Sequence, residues 1–489
     1  MKKLIIALSA LAVLAGCAGT KTCPVLTVDG GQIQGVNADI EGVFVYRGIP
    51  YAAPPIGDLR WKEPQPVVPW EGVKLCDKFG HPGYQSVHYP GGYTTEWGYG
   101  DEAPYSEDCL YLNVWTKNPG EVDKKLPVAF WIHGGGYREG WGSEPEFDGQ
   151  EWANKDVVLV SINYRLGVFG FLCHPELSAE SPHGVSGNYG ILDQIEALKW
   201  VKNNIAQFGG DPDNVMIFGQ SAGAGSVRTL CESPLTVGLF NKAVIMSGGG
   251  LNKVSNAAPM GMGANTLESA EQKSKEVLDW AGLTDLKAMR AASTETLYAL
   301  STIKNMVNPP ALPAGMPPMF RFFGGGITGS PVVDGYVSLR SFDEAALTDN
   351  LPHIPYMIGY TMNDMGNMSE GIADFCLNRE SLGGTAYAYE FARPLPDDGS
   401  QTVNVLKGAF HSSDLWFVFK SLKHCWRPWT DGDWALSEKM LTAWSNFAKT
   451  GEPGLDWAPC TQDNKKFMVF RLDENDQETS AMGDPVTEL

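Results

Sequence analysis

The sequence predicts an α/β fold, a mostly parallel sheet covered by helices on both faces. Three observations carry this. Short, continuous apolar runs rich in β-branched residues recur along the chain, as in strands buried on both sides. An amphipathic helical stretch separates two of them. The runs end in glycine-rich breaks, and α/β folds place their sites at such strand ends.

Residues 127–132 (PVAFWI) form the first clear run and stop at His133-Gly134-Gly135-Gly136. Residues 157–163 (VVLVSIN) form the second. In residues 190–208, Ile191, Leu192, Ile195, Leu198, Val201 and Ile205 recur at helical spacing. Residues 215–218 (VMIF) lead into Gly219, and residues 242–246 (KAVIM) into Ser247-Gly248-Gly249-Gly250. Residues 354–359 (IPYMIG) are a further strand. Residues 260–327 differ. A helical pattern over 266–298 gives way to clustered prolines and Gly324-Gly325-Gly326, which reads as a helical and loop insertion over the sheet. Hinges or surface loops are the alternative.

The chain has 489 residues, 43% hydrophobic and 19% charged, enough to bury a large core. Its formal net charge of -20 argues against a nucleic-acid partner, which needs a basic face. An acidic surface mainly keeps a protein soluble, and a field drawing cationic substrates is the other reading.

Met1-Lys2-Lys3 followed by apolar residues 4–13 has the build of a secretory signal, too short to span a bilayer. It ends in Leu14-Ala15-Gly16-Cys17, which resembles a bacterial lipobox and implies cleavage before Cys17 and a lipid on Cys17. A plain signal peptide cut nearby is the alternative. The organisation expected is a signal peptide over 1–16, a lipidated linker over 17–24 and a single domain over 25–489. The mature protein is then exported and held to a bacterial membrane by its lipid. The other eight cysteines form no C-x-x-C pair, so no zinc or redox motif is indicated, and spacing alone does not set disulfide pairing.

Gly219-Gln220-Ser221-Ala222-Gly223 is a G-x-S-x-G motif between an apolar strand and a stretch able to continue as a helix. That setting is a nucleophile elbow, a sharp turn that exposes the serine hydroxyl. A glycine-rich strand–helix turn without chemistry is the alternative. A serine hydroxyl is a weak nucleophile and needs a base, and the base needs an orienting acid. His133-Gly134-Gly135-Gly136-Tyr137 matches an HGGG-type loop, whose glycines let backbone N–H groups approach a developing oxyanion. His133 itself reads as structural.

With these motifs in place the chain resembles the type-B carboxylesterase family, which includes carboxylesterases and cholinesterases. Further blocks carry the likeness: residues 46–60 (YRGIPYAAPPIGDLR), 107–114 (EDCLYLNV), 163–165 (NYR), 208–212 (FGGDP), 218–226 (FGQSAGAGS), 331–335 (PVVDG) and 448–451 (AKTG). The resemblance implies an α/β-hydrolase fold and a serine ester hydrolase needing no cofactor and no metal. Its substrate is then a small-molecule or polysaccharide-linked ester. Ser221 matches the nucleophile, and Gly135, Gly136 and Ala222 match the backbone donors of the oxyanion hole. Residues 408–414 (GAFHSSD) resemble the family's histidine block, which makes His411 the base. The family acid is usually a glutamate followed by glycine; here Asp364 holds that offset from Gly359 but is followed by Met365. The rivals are Glu370 and Asp374.

Arg60 and Glu107 resemble a family ion pair, and Cys76 with Cys109 its first disulfide. Gln220 departs from the glutamate that many relatives carry before the serine, which weakens the case for a cationic substrate. Asp211-Pro212-Asp213-Asn214 lacks the rest of a calcium loop and reads as a turn. The aromatic residues Trp97, Tyr137, Phe320, Phe322, Phe323, Trp416 and Phe417 are candidates for either pocket or core. Two other functions remain open: a catalytically silent binding or adhesion module, and hydrolysis of amides or carbonates by the same triad.

Overall fold

The structure, a computed structural model, describes residues 22–85, 91–99, 104–251, 266–302, 327, 329–401, 404–454 and 456–486. Strands β1 (Val25–Val28), β2 (Gly31–Gln34) and β5 (Val73–Leu75) form a small sheet. The large sheet holds eleven strands. They are β3 (Val36–Asn37), β4 (Phe44–Pro50), β6 (Tyr111–Thr116), β7 (Leu126–Ile132), β8 (Val158–Ile162), β9 (Gly210–Gln220), β10 (Lys242–Met246), β11 (Tyr356–Thr361), β12 (Ala386–Phe391), β13 (Phe467–Phe470) and β14 (Ala481–Gly483). Their spatial order is β14-β13-β12-β11-β10-β9-β7-β8-β6-β4-β3. From β13 to β8 all neighbours run parallel. The outer strands β14, β6, β4 and β3 pair antiparallel. The mostly parallel α/β-hydrolase sheet expected from the sequence is thus present.

The apolar runs are continuous because each strand feeds two cores. In β7, Val128, Phe130 and Ile132 face one core while Ala129 and Trp131 face the other. In β9, Val215 and Ile217 alternate in the same way with Met216 and Phe218. On the first face lie the helices Tyr189–Asn204, through Ile191, Ile195, Leu198 and Val201, and Ala222–Glu232, through Ala224, Val227 and Leu230. On the second lies the helix Asp431–Thr450, through Leu436, Met440, Trp444 and Phe447. That helix starts in a Thr430/Asp433 capping box and stops at left-handed Gly451.

The insertion has helices Leu267–Trp280, Leu286–Ala291 and Thr294–Thr302 among its described residues. Leu278, Met289, Leu297 and Leu300 pack with Trp61, Val168, Phe169 and Leu172 in a third cluster. Phe320, Phe322 and Phe323 lie outside the described residues, as does Cys17. The ion pair of Arg60 and Glu107 forms, with nitrogen–oxygen distances of 2.7 and 2.5 Å. Arg60 Nη1 also donates to the carbonyls of Arg290 and Ala292, which ties the insertion to the body of the protein.

Two expectations are corrected. The Cys76–Cys109 disulfide is not formed, and both are buried free thiols. Their surroundings differ: Cys76 has Lys74, Asp77 and Cys23 as polar neighbours, whereas Cys109 lies among Asp193 and Arg165, an ion pair closed at 2.6 Å. The turn at residues 211–214 is drawn into β9 as an irregularity of register opposite Leu126 and Val128. Asp211 Oδ1 there accepts from Asp213 N at 3.0 Å, a local turn bond that the longer strand absorbs.

Candidate active site

Strand β9 ends at Gln220 and the helix Ala222–Glu232 starts at once, leaving Ser221 alone at the bend. Its backbone sits at φ 57°, ψ −120°, a strained conformation for a residue with a Cβ. The bend is pinned from both sides: Ser221 N donates to Met246 O, and Gly225 N to Ser221 O, both at 2.9 Å. The flanking glycines are sterically required. A Cβ on Gly219 would lie 2.5 Å from Gly223 C, and one on Gly223 only 2.1 Å from Ile132 O.

The loop after β7 lies directly alongside. A Cβ on Gly134 would come within 3.2 Å of Ser221 Cβ. Gly135, Gly136 and Tyr137 all take positive φ, at 90°, 62° and 61°. At Gly135 a Cβ would meet Glu139 O at 2.0 Å, so only glycine lets the loop double back here. Ala222 is the first residue of its helix, so the helix itself makes no use of its N–H. His133 stacks on Tyr164 at 4.5 Å and holds Gly134 O at 2.9 Å through Nδ1. Burial pushes its pKa down to about 4, which leaves it neutral and structural.

Asp364 follows β11 and His411 lies beyond β12, the strand beside it. His411 Nδ1 stands 2.6 Å from Asp364 Oδ1, with side-chain exposures of 6% and 0%. Met365 N donates to the same oxygen at 2.7 Å, and Thr361 N and Oγ1 donate to Oδ2 at 3.2 Å. Met365, where the family resemblance leads one to expect glycine, supplies the Oδ1 donor through its backbone. Burial works against both charges, but each partner offsets it for the other. The imidazole holds Asp364 below the ordinary carboxylate value, and the carboxylate raises His411 above the ordinary histidine value. The rivals lie elsewhere, on the helix Ser369–Ser381, where Glu370 is exposed and Asp374 half-buried.

Several contacts at this site escaped the sequence reading. Asn363 N donates to Ala409 O at 3.0 Å, and Ala409 N donates back to Asn363 Oδ1 at 2.9 Å. This pair of bonds joins the acid loop to the histidine loop. Gly408 makes room for it, since a Cβ there would lie 2.4 Å from Asn363 Oδ1. Tyr93 Oη donates to His411 O at 2.8 Å. Gln220 Nε2 lies 3.1 Å from His411 Nε2, which brings the ring to the neighbour of Ser221. Among the described residues no hydrogen bond joins Ser221 Oγ to the ring; such bonds commonly tighten only when substrate binds. Asp414 is fully buried close to the pair, with Tyr389 Oη donating to its Oδ2 at 3.0 Å, and burial pushes its carboxyl up to about 7. Its position in the GAFHSSD block was the one available signal.

The other described histidines are engaged away from Ser221. His174 caps a helix, His183 stacks on Tyr336, and His353 and His424 pair with Asp349 and Asp148. The aromatic candidates among the described residues are core: Trp97, Tyr137, Trp416 and Phe417 are all buried.

The sheet, the strand–helix elbow and the glycine loop beside it define the α/β-hydrolase fold. The Carboxylesterase family profile matches residues 22–381 and 367–484. The chain belongs to that family and is a hydrolase of the carboxylesterase class. It is 31% identical to the para-nitrobenzyl esterase of Bacillus subtilis (strain 168), over 96% of this chain and 98% of that one. It is 39% identical to the fumonisin B1 esterase of Sphingopyxis macrogoltabida over 70% of this chain, a stretch that spans 55% of that relative. Among solved structures it resembles a PNB esterase (TM-score 0.75, 28% identity, 94% of this chain and 97% of that one). It also resembles a Geobacillus stearothermophilus carboxylesterase (TM-score 0.72, 30% identity, 94% and 97%). A prokaryotic membrane lipoprotein lipid attachment site matches residues 1–18, and no helix among the described residues is long and apolar enough to cross a membrane.

Proposed function

We propose that the protein hydrolyses carboxylic esters through an acyl-enzyme on Ser221, with His411 as base and Asp364 as orienting acid. The observation that carries this is the 2.6 Å contact of His411 Nδ1 with a buried Asp364, beside a serine held at φ 57°. His411 takes the Ser221 proton at Nε2 while Oγ attacks the ester carbonyl. The N–H groups of Gly135, Gly136 and Ala222 receive the developing oxyanion. The alcohol leaves with the proton from His411, and water then cleaves the acyl-enzyme by the same route. The N-terminal attachment site supports export and anchoring through Cys17, so the substrate is an ester met outside the cytoplasm, either a small molecule or one borne on a polysaccharide.

The test is labelling with a fluorophosphonate probe followed by peptide mapping, together with turnover of p-nitrophenyl acyl and sugar-ester panels. An adduct on Ser221 that disappears in Ser221→Ala supports the reading. Folded wild-type protein that takes no adduct would be a silent binding module instead.

A further inference from the structure

Gln220 is 2% exposed and points its amide nitrogen at His411 Nε2, 3.1 Å away. Asp364 can only accept from Nδ1, so Nδ1 carries the ring proton and the neutral ring offers a lone pair at Nε2. The contact is therefore an amide N–H donated to the lone pair that must take the serine proton. Gln220 Oε1 lies on the side of Gly134, where a Cβ would meet it at 3.1 Å.

The remaining polar groups around His411 act differently. Asp364 and Asp414 both favour a charged ring. Tyr389 is occupied with Asp414, and Tyr93 with the His411 carbonyl. Arg427 lies over the Phe410 ring at 5.5 Å and is paired with Glu96. Of these groups, Gln220 alone contacts Nε2, and its N–H favours the neutral ring.

We propose that Gln220 is a positioning residue for the base: its N–H holds the neutral ring, and a half-turn of its amide brings Oε1 to the Nε2–H of the protonated ring. This rests on the triad reading given above. An amide carries a donor and an acceptor at nearly equivalent positions, so one torsion exchanges them. A glutamate at this position accepts only, and serves the charged ring alone. When Ser221 reacts, the amide N–H gives up the single Nε2 lone pair, which takes the proton from Ser221 Oγ and passes it on to the leaving alcohol; Gln220 transfers no atom. The consequence is a base that stays neutral, and active, to lower pH than a carboxylate neighbour would permit.

The experiment compares wild type, Gln220→Glu and Gln220→Met. It measures kcat/KM for uncharged p-nitrophenyl acetate from about pH 5 to 9 and the rate of fluorophosphonate labelling over the same range. In Gln220→Glu the acid limb moves up by about one pH unit, a loss of roughly tenfold near pH 6 that recovers at alkaline pH. Gln220→Met, of similar volume, loses the donor and the acceptor together, so its acid limb stays near that of wild type. Acid limbs that coincide in all three proteins, whatever the uniform change in rate, overturn the proposal and leave Gln220 as packing. Absence of labelling in wild type is a different failure, since it removes the Ser221 reading and this one with it.

Discussion

Asn363 and Ala409 exchange two hydrogen bonds, Asn363 N to Ala409 O and Ala409 N to the side-chain Asn363 Oδ1, at 3.0 and 2.9 Å. They join the loop carrying Asp364 to the loop carrying His411. The loops behind the 2.6 Å carboxylate–imidazole contact are thus joined by one backbone bond and one to the Asn363 side chain.

That arrangement sets a pH dependence. Asp364 raises the His411 pKa above its ordinary 6.5 against the effect of burial, and in the mechanism proposed above His411 works only when neutral. Activity therefore rises with pH through the raised value, and the acid limb of kcat/KM for an uncharged ester lies above 6.5. Asp364→Asn imposes the wrong tautomer and lowers kcat by about 10⁴. Steady-state kinetics across pH check both; turnover within tenfold of wild type in Asp364→Asn would remove Asp364 from the mechanism.

Ser221 holds a positive φ that glycine adopts without strain. Ser221→Gly is expected to abolish turnover while raising stability by about 1 kcal/mol, the order of the strain relieved. Thermal melts of wild type and variant decide this. A lower melting temperature would mean that the hydroxyl contributes more to the fold than the backbone conformation costs.

Gly135→Ala places a Cβ 2.0 Å from Glu139 O in a backbone that disfavours side chains. The loop must shift, and with it the N–H groups proposed to receive the oxyanion. We expect kcat to fall by about 10² to 10³ with a smaller change in KM, as when one oxyanion donor is removed. Unchanged kcat would show that the loop does not serve the oxyanion.

Asp414, with its carboxyl pushed up to about 7 from an ordinary 3.8, binds its proton more tightly folded than unfolded. Stability from this group is therefore present at low pH and lost between about pH 4 and 7, after which the loss is constant. Asp414→Asn keeps the shape and has no such loss. Its stability should match wild type near pH 4 and exceed it above pH 7 by up to roughly 4 kcal/mol. Denaturant titrations at both ends of the range check this, and a gap independent of pH would mean that Asp414 is charged in the folded protein throughout.

The sheet, the elbow and the glycine loop were legible in the amino-acid sequence. These depend on local rules: strands feeding two cores are apolar throughout, as in residues 127–132, and a turn as tight as that at Ser221 excludes a Cβ on Gly219 and Gly223. Family blocks then pointed to His411 and to Asp364. What meets across strands is set by the folded chain. The order β12-β11-β10-β9 brings Asn363 to Ala409 and Gln220 to His411, pairs 46 and 191 residues apart in sequence, for which no periodicity or motif is diagnostic. Burial, likewise invisible to a motif, raises the Asp414 carboxyl and turns Trp416 and Phe417 into core. It also leaves Cys76 and Cys109 unbridged, because a disulfide requires two thiols to share one place in space and not merely a familiar spacing.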